Sequence, residues 1–447
     1  MATVTPGRPG QTSATTSRSA AKTAARSAAK KTSRSSTKTD IAPSASRTLR
    51  LWLQAVLDRP LTSYHLVLGS ASILVALGLM MVLSASSVSA LITFDDAYYY
   101  VKRQAMFLVM GVIGAVVLVR VPPAALRVLG WFGVFLAAVL LILTYTALGF
   151  ESGGNRNWID LGFTSIQPSE FAKLAMIIWG ADVLARKDKL LDQPRHLLIP
   201  YLPVCGILIL LVVFQGDAGT AVVMGSIMVG VLFIVGTPMR VLAALGFCAI
   251  GGVVTLFVTS PVRMRRLAAF LDPSADLNGA NDQANAGMWA IASGGWWGQG
   301  LGGSRQKWGG LPVAHSDFIF AVIGEELGLF GSLIVLALFL VLGYAGLRTA
   351  TRSDDAFRRY AAAGVTVWFM VQALINLAVV LRLLPIAGVP LPLISYGGSA
   401  LIANLLALGV LLSCARHEPD AVKLLASRRR SAKPRVSAVV GSRRKSA

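Results

Sequence analysis

Charged side chains inside apolar runs are the first candidates for chemistry, because a bilayer tolerates them only where they pair or do work. The stretch Gln167-Pro168-Ser169-Glu170-Phe171-Ala172-Lys173 holds two of them. Pro168 suits the first turn of a helix, and Glu170 suits the positive end of the helix dipole. The i,i+3 spacing puts Glu170 and Lys173 on one face, where they either pair internally or meet a substrate together. A second stretch, Pro312-Val313-Ala314-His315-Ser316-Asp317-Phe318, opens another apolar run. Ser316 or Asp317 there could cap a helix. The Asp317 carboxylate, beside His315, could instead take a proton from a sugar hydroxyl, although position alone favours the cap. Glu325 and Glu326 follow about two turns deeper, and one of them must face the protein interior. Asp217, in Gln215-Gly216-Asp217-Ala218-Gly219-Thr220, reads as a helix N-cap. Arg263, Arg265, Arg266 and Lys307 form a cationic set whose donors suit phosphate oxygens, in a substrate or in a lipid headgroup. Cys205, Cys248 and Cys414 sit in apolar stretches without metal-ligand spacing and read as small hydrophobes.

The elements that must position these residues are membrane spans. The 447 residues are 55% hydrophobic and 14% charged, against roughly 25% charged in a soluble domain. Apolar runs long enough to cross a bilayer recur at about 64–91, 104–121, 125–148, 168–186, 197–214, 219–236, 239–260, 317–347, 359–381 and 391–415. The expected fold is an all-α polytopic bundle of about ten transmembrane helices, with a long outer loop between helices seven and eight. Residues 49–415 form the membrane domain. The first run starts behind a long polar tail rather than the short charged lead of a cleaved signal peptide.

Charge sets the orientation. Residues 1–50 hold ten Lys/Arg against Asp40, and residues 416–447 hold ten against Glu418 and Asp420, so 17 of the 21 net positive charges lie in the tails. Residues 1–48 lack an apolar cluster and are expected to be disordered. An even number of spans puts both tails on one side. Arg120, Arg127, Arg186, Lys187, Lys189, Arg195, Arg240, Arg348, Arg352, Arg358 and Arg359 fall in the connections on that side, which is therefore expected to be the cytoplasm. Basic tails beside spans suit an anionic inner leaflet better than nucleic acid. Arg263, Arg265 and Arg266 break the charge rule on the outer side, which marks them for a task there. Their loop, 261–316, is rich in Gly, Asn and Trp, and short helices at the outer surface are expected in it. No internal repeat is visible, which weighs against an inverted-repeat transporter.

From Tyr64 to Arg416 the chain resembles the SEDS family (shape, elongation, division and sporulation proteins). The resemblance rests on Asn157-Trp158-Ile159-Asp160 with Gln167–Leu174, on Ala314–Phe320 with Gly324-Glu325-Glu326-Leu327-Gly328, and on Pro390–Ser399, which includes Ser395. Gly302–Trp308 resembles the division, FtsW-type, branch rather than the elongation branch. The resemblance implies a ten-helix inverting peptidoglycan glycosyltransferase. Such a protein joins lipid II units through β-1,4 bonds, beside a class B penicillin-binding protein and other divisome membrane proteins, in the bacterial plasma membrane at the septum. It also implies that the family's essential aspartate is Asp317, acting as base. Arg156, Glu170, Lys173, Arg263, Arg265, Arg266, Lys307, His315 and Ser395 are then the expected substrate contacts. A divalent cation, Mg or Mn, could share the diphosphate, although no protein cage for one is visible. The chain departs from the family pattern at Val313 (commonly Glu), Gly216 (Pro), Ser316 (Thr), Arg382 (Gly) and Asn155-Arg156-Asn157 (Ala-Arg-Arg), which leaves Arg156 alone to bind an anion. Three rival readings remain: a lipid II flippase, with Glu170, Lys173 and Glu325 along its path, an elongation-type polymerase of the same family, and a structural divisome scaffold.

Overall fold

The computed structural model describes residues 59–432, apart from Gly153, Phe163, 189–197, Thr259, 273–280, 309–310 and 312–313. The basic tail 1–48, Lys189, Arg195, Val313 and residues 433–447 lie outside the described residues. The chain divides into two compact units, Met1–Asp58 and Arg59–Ala447, and the described helices and strands all belong to the second.

In lipid every backbone polar group must be satisfied within the protein, so apolar runs of this length become helices. All ten expected runs do so. They are α1 (Thr62–Phe94), α2 (Tyr99–Arg120), α3 (Pro123–Leu143), α4 (Pro168–Arg186), α5 (Tyr201–Phe214), α6 (Ala218–Val235), α7 (Met239–Val258), α10 (Ile319–Arg352), α11 (Ala356–Val380) and α12 (Gly398–Arg416). Eight are long and apolar enough on their own to cross a membrane. The other two are α4, which carries Glu170, Lys173, Asp182 and Arg186, and α5, with 14 residues. The loop after α7 holds two short helices, α8 (Pro261–Leu271) and α9 (Asp282–Gly294), as expected, and the C-terminal tail begins with α13 (Pro419–Ala432).

Nearly every residue of α4 is buried, as is most of α11 and α12. These three form the middle of the bundle, with α2 against α12, α3 against α4, and α1 against α10. Small residues allow the close crossings that van der Waals packing needs in lipid. A Cβ on Gly409 of α12, for example, would lie 2.7 Å from the Ala115 Cα of α2. By contrast α7 leans against the rest, with Leu242 its one buried residue.

Cross-connections sort the loops into two ends. At one end Arg127 reaches both Asp182 and Asp355. At the other, Tyr145 donates to the Leu211 carbonyl, Arg263 to the Gly216 carbonyl and Gln104 to the Ser395 carbonyl. This second end gathers the candidate chemistry. It also holds an antiparallel sheet absent from the helical pattern of the sequence, β1 (Gly149–Ser152), β2 (Asn155–Asp160) and β3 (Ser165–Ile166), in the order β1-β2-β3. Gly149 pairs with Ile159, and Ile159 with Ile166. The Arg156 amide donates to the Gln215 carbonyl at 3.0 Å, fixing the sheet to the turn before α6.

Helix α10 is broken. Gly328 has φ 69° and ψ −165°, which frees backbone groups on either side. The glycine-rich loop after α9 takes them up. Gln299 and Gly300 amides donate to the Glu325 and Glu326 carbonyls, while Leu329 and Phe330 amides donate to the Gly295 and Trp296 carbonyls. A Cβ at Gly328 would meet Gly298 N at 2.4 Å, so the glycine is required by both conformation and space.

Candidate active site

Asp317 lies two residues ahead of α10 and does not cap it; Phe318 occupies the N-cap position without a side-chain bond. The turn that carries it is held from three sides. Asn376 Nδ2, on α11, donates to the Asp317 carbonyl at 2.7 Å and to the Val389 carbonyl at 2.8 Å. Ser395 Oγ donates to the Ser316 carbonyl at 2.8 Å and accepts from the Leu391 amide. The Tyr396 amide donates to the His315 carbonyl. Ser395 therefore braces the turn.

The Asp317 carboxylate keeps part of its surface open, within dense surroundings. Burial pushes its carboxyl above the ordinary carboxylate value. The Ser316 hydroxyl, which donates to Oδ1 at 2.9 Å, pulls it back; nearby Asp217 pushes it up and Arg266 pulls it down. His315 sits against Tyr100, ring centres 4.5 Å apart, and against Tyr396 at 5.4 Å. Burial lowers its pKa to about 4, so the imidazole is neutral at physiological pH. It packs against these two tyrosine rings as a neutral group rather than a charge.

A cavity of about 550 Å³ opens next to this turn between α6, α7, α8 and the segment 384–387. Its lining is largely apolar, including Val222, Val253, Val254 and Phe257, and it also includes Arg263 and Arg266. Asp317 Oδ2 faces Gly388, the residue after the lining Ala387, at the place where a Cβ on Gly388 would come within 3.6 Å. The site thus combines an apolar slot, a cationic rim and a carboxylate with a raised pKa.

The other sequence candidates divide around it. Arg266 is half-buried and faces the cavity, whereas Arg265 is exposed and lies outside the lining. Arg263 spends its donors on the Leu256 and Gly216 carbonyls, holding α8 to the turn before α6. Arg156 is exposed on β2 and donates to the Thr146 carbonyl. Lys307 does not join the arginines. It is buried and bridges Glu326 at 3.4 Å, while Glu326 accepts from Ser84 and Glu325 from Ser304 and the Arg305 amide. That network fastens the glycine-rich loop to the first turns of α10 and satisfies both glutamates. Glu170 and Lys173 form a buried ion pair at 2.9 Å, and Lys173 Nζ also donates to Gln372 Oε1 at 2.9 Å. Asp217 is the N-cap expected, accepting from the Thr220 amide, and it further accepts from Asn157 and Gln167.

Two contributors were not singled out in the sequence. Asn376 is an amide within a span, and a buried polar residue there is itself a signal. Arg103, near the start of α2, donates to the Tyr99 hydroxyl near the His315 aromatic group; in the expected orientation it departs from the charge rule as Arg263 does. Because Asn376 holds two carbonyls, Asn376→Leu is expected to cost about 1–3 kcal/mol of stability. The turn should also shift, lowering kcat more than it raises KM; melting curves and steady-state rates check this.

A family model described as that of cell cycle proteins, FtsW/RodA/SpoVE, matches residues 64–420. The probable peptidoglycan glycosyltransferase FtsW of Mycobacterium tuberculosis is 40% identical over 372 residues, covering 83% of this chain and 71% of that protein. Stage V sporulation protein E of Bacillus subtilis is 37% identical over 346 residues, 77% and 94% of the two chains. Among solved structures, a chain of a peptidoglycan synthase complex that coordinates polymerization and crosslinking superposes with a TM-score of 0.65, at 27% identity over 79% of this chain and 97% of that one. The rod shape determining protein RodA of Thermus thermophilus superposes at 0.57, with 26% identity over 79% and 96%. The motifs around Glu170, Asp317 and Ser395 all fall within the matched region, and this polytopic membrane chain belongs to the FtsW/RodA/SpoVE family, the SEDS proteins, in its FtsW-type branch.

Proposed function

We propose that this protein polymerises lipid II into β-1,4-linked glycan, with Asp317 as the general base. The observation that carries the reading is the placement of a carboxylate with a raised pKa beside an apolar cavity whose rim holds Arg266. A lipid-linked diphosphate sugar has the matching parts: a long apolar tail for the slot, two phosphates for the arginine, and an anomeric carbon next to the carboxylate. The diphosphate is already a good leaving group. The chain's tasks are to take the proton from the attacking hydroxyl, to orient the two sugars, and to offset charge on the departing diphosphate. A single displacement inverts the anomeric centre. Asp317 takes the proton; Arg266 meets the diphosphate; Arg263, tied to the Gly216 carbonyl, keeps α8 in place.

Among the described residues no cluster of three or more His, Cys, Asp or Glu could hold a metal ion. A magnesium or manganese ion bound to the substrate's diphosphate would offset the same charge that Arg266 meets. The charges on which transport would depend are taken up within the protein, Glu170 and Lys173 by each other and Glu325 by Ser304 and the Arg305 amide, which favours the enzyme over the flippase. We place both termini in the cytoplasm, from the basic residues at the end opposite Asp317. We also place the protein at the septum beside a class B penicillin-binding protein and other divisome membrane proteins.

The direct experiment is glycan polymerisation from lipid II by the purified chain. Within it, Arg266→Glu is expected to raise the apparent KM for lipid II at least about tenfold, a change of about 1.4 kcal/mol. Arg265→Glu, on the exposed side of α8, should change it by less than about twofold. Equal effects at the two positions would place the diphosphate elsewhere.

A further inference from the structure

The turn that ends α11 places an arginine where backbone sterics favour glycine. The Leu383 amide donates to the Ala378 carbonyl at 2.7 Å and the Arg382 amide to the Val379 carbonyl at 3.0 Å. This is the bond pair of a Schellman motif, with Arg382 in the left-handed position that follows the helix. Its φ is 57°. Glycine adopts this conformation freely, whereas a side chain there stores strain that the surroundings must offset. The contacts of the guanidinium show what offsets it. Nη1 donates to Asn285 Oδ1 at 2.6 Å, and Nη2 to Asn281 Oδ1 and the Ala269 carbonyl, each at 3.4 Å. Asn285 lies in the first turns of α9, Asn281 just precedes it, and Ala269 lies near the end of α8. One side chain thus spans from the end of α11 to both outer helices. Arg382 shares a small second cavity with Arg266, and that cavity borders Leu384, Pro385 and Ile386, which also line the large one.

We infer that Arg382 is a positioning residue: by latching α8 and α9 to the end of α11, it holds Arg266 at the rim of the cavity, next to Asp317, and fixes the seat of the lipid-linked diphosphate. The inference rests on the assignment of that cavity to the lipid-linked substrate. Asp317 is faced by Ser316, by Asp217 from the turn before α6 and by Arg266 from α8, with neutral His315 adjacent. Loosening α8 removes the attraction that Arg266 supplies to the charged carboxylate. It leaves burial and Asp217, which both favour the neutral form. The acid limb of the rate profile then moves to higher pH.

The test uses the full chain in lipid nanodiscs, with lipid II as the probe, and compares Arg382→Gly with Arg382→Lys. Glycine relieves the backbone while removing the latch. Its melting temperature is therefore expected not to fall, while the KM for lipid II rises about tenfold, the acid limb shifts upward, and amide exchange in 261–272 and 282–294 speeds up. Lysine keeps one donor and should fall between glycine and the parent. Retained stability together with loss of affinity is a signature that a merely structural arginine would not give. Unchanged exchange, KM and acid limb in Arg382→Gly would overturn the latch, as would an early-melting glycine variant alongside a kinetically normal lysine variant. The exchange and KM readouts do not use the base. If they change as expected while Asp317→Asn stays active, the latch stands and only the assignment of the base fails.

Discussion

Purified Asp317→Asn protein is expected to insert and fold normally yet to make glycan at least about 10²–10⁴-fold more slowly, the usual contribution of a positioned general base. Asparagine keeps the shape of the side chain and can still accept from the Ser316 hydroxyl, but it cannot take a proton. Stability gives an independent check on the same variant. A raised pKa in the folded state means that folding disfavours the charged carboxylate, so the charge costs stability above that pKa. At neutral pH the asparagine variant should then melt no lower than the parent. In the parent, activity needs the charged form; it should be present above the raised pKa and decline as pH falls through it, with an acid limb above the ordinary carboxylate range. Near-parental polymer yield from the variant would remove Asp317 from the chemistry.

The second large effect concerns Glu170 and Lys173. Each side chain of the pair is about 2% exposed. Lys173 Nζ also lies 4.9 Å above the Trp368 ring, and Gln372, its amide partner, donates onward to the Pro390 carbonyl. Removing one charge strands the other in a dry interior, at a cost of about 3–5 kcal/mol. Glu170→Gln and Lys173→Met are each expected to lower the melting temperature clearly. The double variant should recover part of the loss, because neither charge is then unpaired, giving a coupling of about 0.5–3 kcal/mol. Rates measured on the same three proteins separate this from substrate contact. Contact predicts well-folded single variants with poor activity and no recovery in the double. Strictly additive melting losses would count against the pair.

The residues themselves show how far sequence carries and where it stops. The ten spans were legible because lipid permits few backbone solutions, so an apolar run fixes both the helix and its approximate limits. The Glu170–Lys173 pairing was legible because i,i+3 spacing on a helix is a geometric fact. The sheet was not. Its strands are four, six and two residues long, too short for an alternating pattern to emerge. Lys307 was grouped with Arg263 and Arg266 because all are cations of one outer loop, but a loop has no period from which to read direction, and its destination depended on Glu326. The break at Gly328 was hidden because the apolar pattern resumes directly after Glu325 and Glu326 and runs on through Gly328. Arg382 was visible as a departure from the family pattern, but its three partners belong to helices 97 to 113 positions away in sequence.

The interruption at Gly328 also bears on how the protein is made. Unbroken, the 34 residues of α10 would extend about 51 Å at about 1.5 Å per residue, well beyond a hydrocarbon core of about 30 Å. The apolar part after Gly328 is long enough to be inserted as a span by itself. The turns before it are not suited to early insertion: they carry Glu325 and Glu326, and their carbonyls wait for the amides of Gln299 and Gly300. The expected consequence is that crossings form first and the turn bearing Asp317 is completed when the glycine-rich loop folds back onto it; protease protection of the loop during insertion checks this. A substitution in that loop, such as Gly298→Ala, would therefore yield protein that is correctly threaded through the membrane and catalytically unfinished.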